Sequence, residues 1–307
     1  MTTTGPELCG IHVKTGALLW RARLGNHVAS DPLVSPHGAY VLVVDVLNEG
    51  LLDLSLVQVE PGSGEVLSRT FLARFRDVWD RQIPCQTTLI GSDGILVSVG
   101  GVTLRANFSD GVVWMRRHTV LPPAQDPYGF ELDPAPPLVD GDRVLTLPGG
   151  VRCVEAFNVR SGRLEWRRVL LRASRLCGVA GGNAIVREPT SVLALKAVTG
   201  TVAWRRNIPG LVRVERVGIQ SSGAPGQGST EGSALVLCIV EGGSSSRIPC
   251  LLWLDAATGD EVGRAPLAEL AHESPNLGPL CLADGTIWAL FRRGHSREIE
   301  VMEIAPR

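Results

Sequence analysis

Seven cysteines (Cys9, Cys85, Cys153, Cys177, Cys238, Cys250, Cys281) and six histidines (His12, His27, His37, His118, His272, His295) are the side chains best suited to metal binding or nucleophilic chemistry. Their spacing supports neither. Zinc sites and thiol redox centres use closely spaced cysteine pairs, and no two cysteines here are close. No two histidines stand at the i, i+4 spacing of a helical metal pair. Most of the cysteines sit among Val, Leu and Ile, the setting of buried free thiols. Their odd number cannot pair fully within one chain, so they leave the compartment open. Gly62-Ser63-Gly64 has the look of a phosphate loop but coincides with a turn of the repeat described below. Asp140 and Asp142 flank a hairpin glycine, where turn chemistry accounts for them. No catalytic, cofactor-binding or metal-binding residue is assigned, and no cofactor is expected.

Residues suited to contact rather than chemistry lie in the connections. FLARFRDVWDRQ, from Phe71 to Gln82, sets Trp79 and Arg81 among charges. LPPAQDPYGFELDPAPP, from Leu121 to Pro137, is stiffened by proline and carries Tyr128 and Phe130. Aromatic and Arg side chains anchor interfaces; the competing reading is that they pack these loops onto their own sheet. The Gly/Ser-rich stretch from Ser221 to Ser233 predicts mobility rather than recognition.

The elements that must position these loops are announced by a repeat. IHVKTGALLW (Ile11 to Trp20), FNVRSGRLEW (Phe157 to Trp166) and LKAVTGTVAW (Leu195 to Trp204) each give an apolar strand, a Thr-Gly or Ser-Gly turn, and Trp four residues after the glycine. Weaker copies occur at 57–68, 104–115 and 253–263, where the Trp is replaced or, as Trp114, displaced by one. The turn glycines are Gly16, Gly64, Gly111, Gly162, Gly200 and Gly259, and the span from first to last gives a mean period of 48.6 residues over five intervals. A second series alternates with them: His37-Gly38, Asp93-Gly94, Asp140-Gly141, Gly181-Gly182, Glu231-Gly232 and Asp284-Gly285, each leading into an apolar strand. Two hairpins per period make one four-stranded antiparallel sheet, with strands A (inner) to D (outer).

The expected fold class is therefore an all-β β-propeller of four-stranded antiparallel blades, with residues 1–307 as a single domain. The reading opens at strand C, passes through five complete blades and closes with strands A, B and C. That register is compatible with a six- to seven-unit ring or with a fragment of an eight-bladed propeller. In such a fold the D-to-A and B-to-C connections leave on one face. Trp79, Arg81, Tyr128 and Phe130, with the 241–247 connection, would then share a rim, the candidate site for a protein or peptide partner.

The bulk properties agree. The chain has 307 residues, a net charge of −1, 44% hydrophobic residues and 35 glycines, enough for a substantial core and without the basic excess that nucleic acid or an anionic membrane would call for. No segment approaches the roughly 20 apolar residues of a membrane span, and Met1 to Glu7 lacks the basic and apolar runs of a signal peptide. Nothing fixes the oligomeric state.

The motif resembles the repeat of the pyrroloquinoline-quinone-type (PQQ-like) propellers, in which Ala-x-Asp-x-x-Thr-Gly-x-x-x-Trp marks each blade; LDAATG, from Leu254 to Gly259, is the nearest match. The resemblance covers nearly the whole chain. It implies that Trp20, Trp166 and Trp204, with Gly16, Gly162, Gly200 and Gly259, pack one blade on the next, a role that suits the large ring and single N–H donor of Trp. The arginines that follow (Arg21, Arg23, Arg116, Arg117, Arg167, Arg168, Arg205, Arg206) read as charges that discourage edge-to-edge association of outer strands. Quinone-dependent members of the superfamily surround cofactor and Ca2+ with eight blades, and the alcohol-oxidising branch adds adjacent cysteines, which this chain lacks. With no catalytic signature in the chain, the leading expectation is a non-enzymatic interaction scaffold, and the resemblance suggests the bacterial cell envelope or periplasm as its place; the alternative is a fragment of a quinone-dependent dehydrogenase.

Overall fold

The computed structural model describes the chain except residues 1, 5–6, 48–49, 77–84, 100, 119–134, 149–150, 218–234, 241–249, 267–275, 284–285, 293–298 and 305–307; residues 2–4, 215–217, 265–266 and 276–304 are described by backbone alone. Among the described residues there is no α-helix, and 27 strands form seven antiparallel sheets. Sheet I contains β1 (Thr2–Thr4), β2 (Glu7–Ile11) and β3 (Leu18–Arg23). Sheet II contains β4 (His27–Val28), β5 (Leu33–Ser35), β6 (Gly38–Val46), β7 (Leu51–Val59) and β8 (Val66–Arg76). Sheet III runs from β9 (Gln86–Ile90) through β10 (Gly94–Val99) and β11 (Val102–Asn107) to β12 (Gly111–Arg117). Sheet IV runs from β13 (Leu138–Asp140) through β14 (Arg143–Thr146) and β15 (Cys153–Asn158) to β16 (Leu164–Val169).

Sheet V is built from β17 (Arg175–Ala180), β18 (Asn183–Glu188), β19 (Ser191–Lys196) and β20 (Val202–Asn207). Sheet VI is built from β21 (Leu211–Val217), β22 (Leu235–Val240), β23 (Cys250–Asp255) and β24 (Glu261–Pro266), and sheet VII from β25 (Asn276–Ala283), β26 (Thr286–Arg292) and β27 (Ile299–Ile304). Two compact units emerge, one of residues 1–127 and 134–167, the other of residues 128–133 and 168–307.

Five sheets are thus complete, each a meander of consecutive strands. Two of the expected boundaries are corrected. β1 pairs with β2 (Thr3 opposite Leu8), so sheet I opens at position B rather than C. Residues 71–76, read as a connection, continue strand β8, because Phe71, Ala73, Arg74 and Phe75 pair with Ser55, Leu54, Asp53 and Leu52.

The repeat's turn chemistry explains why the C-to-D hairpins form. Asp255 Oδ1 accepts the N–H groups of Ala257 and Thr258 at 2.8 Å, and the hydroxyl of Thr258 accepts that of Asp260 at 3.2 Å. Asn158 and Ser161 do the same in sheet IV. The glycine that follows then crosses to positive φ in all six turns, from +65° at Gly162 to +79° at Gly64, a conformation costly for any residue with a Cβ. In the second turn series Gly38, Gly141 and Gly182 have positive φ, whereas the glycine doing so before β10 is Gly91 and not Gly94.

A bulge recurs one residue before the Trp position of the outer strand. Between the pairs Gly10–Trp20 and Ile11–Leu18, Leu19 is extra; Leu67, Val113, Ala203 and Val262 are its counterparts. Inner faces fill the seams between sheets. Leu8, Val41, Val43 and Val57 pack sheet I on II; Leu42, Leu54, Ile95 and Leu104 pack II on III, beside Tyr40 stacked on Phe108 at 3.8 Å. Leu96, Val144 and Phe157 join III to IV, and Ile185, Val192, Cys238 and Leu252 join V to VI. Each such side chain contributes about 1.5–3 kcal/mol on burial, which makes these seams the main source of stability.

Candidate functional site

The repeat tryptophans sit at the seams. Trp20 donates its indole N–H to the Pro61 carbonyl at 2.9 Å and covers Gly64 of the next sheet; a Cβ on Gly64 would meet the ring at 2.5 Å. Trp204 donates to Ala256 at 3.0 Å over Gly259. Trp166 lies half-buried at the same place on β16, and Gly16 and Gly200 occupy the turns of their own hairpins.

Trp114, read from the sequence as out of phase, holds the same station. It pairs with Arg105, six residues before Gly111, as Trp20 pairs with Gly10 and Trp204 with Ala194. It donates to Val159 at 2.9 Å and covers Gly162. Only the intervening turn is one residue shorter.

Four of the arginines after these positions, Arg116, Arg167, Arg205 and Arg206, have partners rather than standing along a free edge. Arg116 and Arg206 each reach the turn of the next sheet, donating to the carbonyls of Gly162 (3.0 Å) and Gly259 (3.2 Å). Arg116 also lies over the Phe157 ring, 4.8 Å from its centre. Arg205 pairs with buried Glu188, which also accepts from the Ser191 hydroxyl.

Arg167 pairs with Glu155, the hub of the densest polar cluster in the first unit. Glu155 is fully buried; His118 Nδ1 lies 2.7 Å from its Oε2, and His118 Nε2 lies 3.0 Å from the Thr103 hydroxyl. Burial drives the Glu155 carboxyl up, but contact with His118 and Arg167 outweighs it and holds the group below its ordinary value. A hydroxyl, an imidazole and a carboxylate in series are the parts of a nucleophile and its base. Thr103 is 0% exposed, however, so no substrate reaches its oxygen; the array ties sheet III to sheet IV. Its neighbour Cys153 is pushed up to about 12 by burial and then by Glu155, which keeps that thiol protonated and unreactive.

An accessible site lies elsewhere in the same unit. A cleft of about 420 Å3 is lined by Val28, Ala29, Ser30, Asp31, Leu33, Cys85, Gln86, Thr87 and Pro136. These residues lie at or just before the inner strands of sheets II, III and IV. The inner strand of sheet II is interrupted between β4 and β5, where Pro32 has no N–H to give. The Ser30 hydroxyl takes over the ladder by accepting from the Leu42 N–H at 3.0 Å, and Asp31 turns out to solvent. Next to the cleft, the Thr88 hydroxyl donates to the Pro137 carbonyl at 2.5 Å and fixes the entry of sheet IV.

The rim residues expected from sequence, Trp79, Arg81, Tyr128 and Phe130, lie outside the described residues. In sequence, two residues of the cleft lie near them: Cys85 stands four residues after Arg81, and Pro136 six residues after Phe130. Sequence reasoning missed Asp31, Gln86 and Thr87, because three short stretches 50 to 100 residues apart meet only in the fold; Pro32 within an apolar strand was the available signal.

A quinone with Ca2+ would need several carboxylates together. Among the described residues no three His, Cys, Asp or Glu side chains converge, and the cleft offers Asp31 alone. The described residues that line the cleft do not fit that cofactor.

A family model described as outer membrane protein assembly factor BamB matches residues 1–205. Among curated proteins, none matches the chain. Solved structures that resemble it include BamB from Moraxella catarrhalis (15% identity, TM-score 0.59, covering 96% of this chain and 79% of that one). Others are the dihydro-heme d1 dehydrogenase NirN in complex with DHE (12%, 0.57, 98% and 63%) and BBS1N in complex with ARL6DN (12%, 0.53, 96% and 83%). The chain therefore spans less than two thirds of NirN. At these identities the likeness shows the propeller fold, which scaffolds and dehydrogenases share. With 205 of its 307 residues matched by that model, and with its glycine turns and Trp stations repeated from sheet to sheet, the chain belongs to the PQQ-like β-propeller family described as outer membrane protein assembly factor BamB.

Proposed function

We propose that the chain is a non-enzymatic interaction scaffold of the bacterial cell envelope, receiving a protein or peptide at the cleft and its flanking connections. The observation that carries this reading is the open cleft between three inner strands, whose lining residues Cys85 and Pro136 stand four residues after Arg81 and six after Phe130 in sequence. The family description, an assembly factor, points the same way. Packed antiparallel blades that present connecting loops are suited to holding partners.

A photo-crosslinker placed at Thr87 should yield a discrete protein adduct in the producing cell, and one at Val202, on an outer strand, should not. Replacing Trp79, Tyr128 and Phe130 together by Ala should abolish the Thr87 adduct while leaving thermal unfolding nearly unchanged; a large fall in melting temperature would instead mark these aromatics as packing residues. Titration with pyrroloquinoline quinone and Ca2+ tests the dehydrogenase alternative, and saturable stoichiometric binding would reject the scaffold reading.

A further inference from the structure

We infer that the cleft in the first unit is a receptor for an alkylammonium group, the side chain of a lysine on an extended segment of the partner. This rests on the scaffold reading above and names the chemistry of what the cleft receives. The floor is apolar: Val28 and Cys85 are buried, and Ala29, Leu33 and Pro136 complete it. Burial pushes the Cys85 thiol up to about 12, so it meets a ligand as a small neutral group.

The lining also holds polar side chains of one bias. Asp31, Gln86 and Thr87 present a carboxylate, an amide and a hydroxyl, and none of their side chains forms a hydrogen bond or ion pair within the described residues. The neighbouring polar groups are occupied: Ser30 repairs the broken inner strand and Thr88 holds Pro137. Among the described residues no cation lines the cleft, so none of them answers the charge of Asp31.

Three acceptors above an apolar floor match one side chain closely. A lysine lays its methylene stem along apolar surface and directs three N–H donors from a compact head. The planar five-donor fork of arginine asks instead for a bidentate carboxylate. A carboxylate or phosphate ligand would meet Asp31 with like charge. The break between β4 and β5, bridged to β6 through Ala29 and Ser30, places Asp31 in the lining of the cleft.

The test is calorimetric titration of the full chain with Nα-acetyl-lysine N-methylamide, set against the norleucine and arginine analogues. The lysine amide should bind saturably with a Kd on the order of 1 mM, the range of a single anchored side chain. The norleucine amide should not bind. Asp31→Asn should weaken the lysine amide about tenfold, and added salt should do so progressively. Asp31 is exposed, so this variant should melt with the wild type; if it does not, Thr87→Val provides the same comparison with an expected loss of about threefold. Binding of norleucine as tight as lysine, a preference for arginine, or indifference to both substitutions would overturn the inference. If these fail while the Thr87 crosslink still captures a partner, the ammonium assignment falls and the scaffold reading stands.

Discussion

Glu155→Gln is the most demanding single perturbation of the first unit. The substitution keeps the shape of the side chain but removes the charge at a fully buried point between His118, whose side chain is 1% exposed, and Arg167. It also turns an acceptor into a partial donor against two donors. Removing one partner from a buried ion pair costs about 3–5 kcal/mol. Half of the Arg167 side chain is exposed and can be rehydrated, which places the expectation at the lower end, about 3 kcal/mol. For a unit of this size that is a fall in Tm of about 6–12 °C.

The pH dependence carries its own sign. The folded carboxyl titrates below its unfolded value of about 4.3, so its stabilisation is present above that value and is lost as pH falls toward the folded one. The gap in denaturant midpoint between wild type and Glu155→Gln should therefore narrow as pH falls below about 4. A variant within about 0.5 kcal/mol of wild type at pH 7, or a gap that widens in acid, would refute the account of Glu155 as an ionised hub.

Trp114→Ala should cost about 2–4 kcal/mol in equilibrium unfolding, as should Trp20→Ala and Trp204→Ala, whereas a Trp114 that merely decorated the surface would lose under 0.5. Trp166→Ala is expected to fall in the same range. Gly162→Ala and Gly141→Ala both place a Cβ at positive φ, at +65° and +57°, and each should lose about 1–2 kcal/mol to backbone strain. Gly162→Ala should lose more, because its Cβ would stand 2.7 Å from Trp114 while that of Gly141 meets nothing; equal losses in urea titration would contradict the seam geometry. Cys85, Cys153 and Cys238, each pushed up to about 12 chiefly by burial, should resist an aromatic disulfide reagent at pH 8 until the chain is unfolded, and prompt modification of Cys153 or Cys238 in the native protein would show the seams to be open.

The fold was legible because its rules are local. The C-to-D hairpins of sheets IV and VI are closed by side chains within three residues of one another, so Asp255, Thr258 and Gly259 declare the turn on their own. The phase of Trp114 was not legible, because counting from the glycine ignores a turn shortened by one residue, and only the pairing with Arg105 restores the register. Arg116 and Arg206 misled for a related reason: a charge two residues past a tryptophan looks like an outward edge until the next sheet brings a glycine carbonyl to it. Glu155 and His118, 37 residues apart, carried no pattern. The cleft was hidden more thoroughly, since Asp31, Gln86 and Pro136 belong to three sheets and share nothing in sequence but nearness to an inner strand.

The seam device has a consequence for how such a chain can grow. At three seams, a tryptophan from one sheet's last strand reads the turn of the sheet that follows, so the parts that match lie in adjacent modules. A duplicated module carries both a ring for its successor and a turn for its predecessor, and can be inserted or lost without redesign of those on either side. Lineages built this way can change module number by recombination while each junction stays compatible with the next.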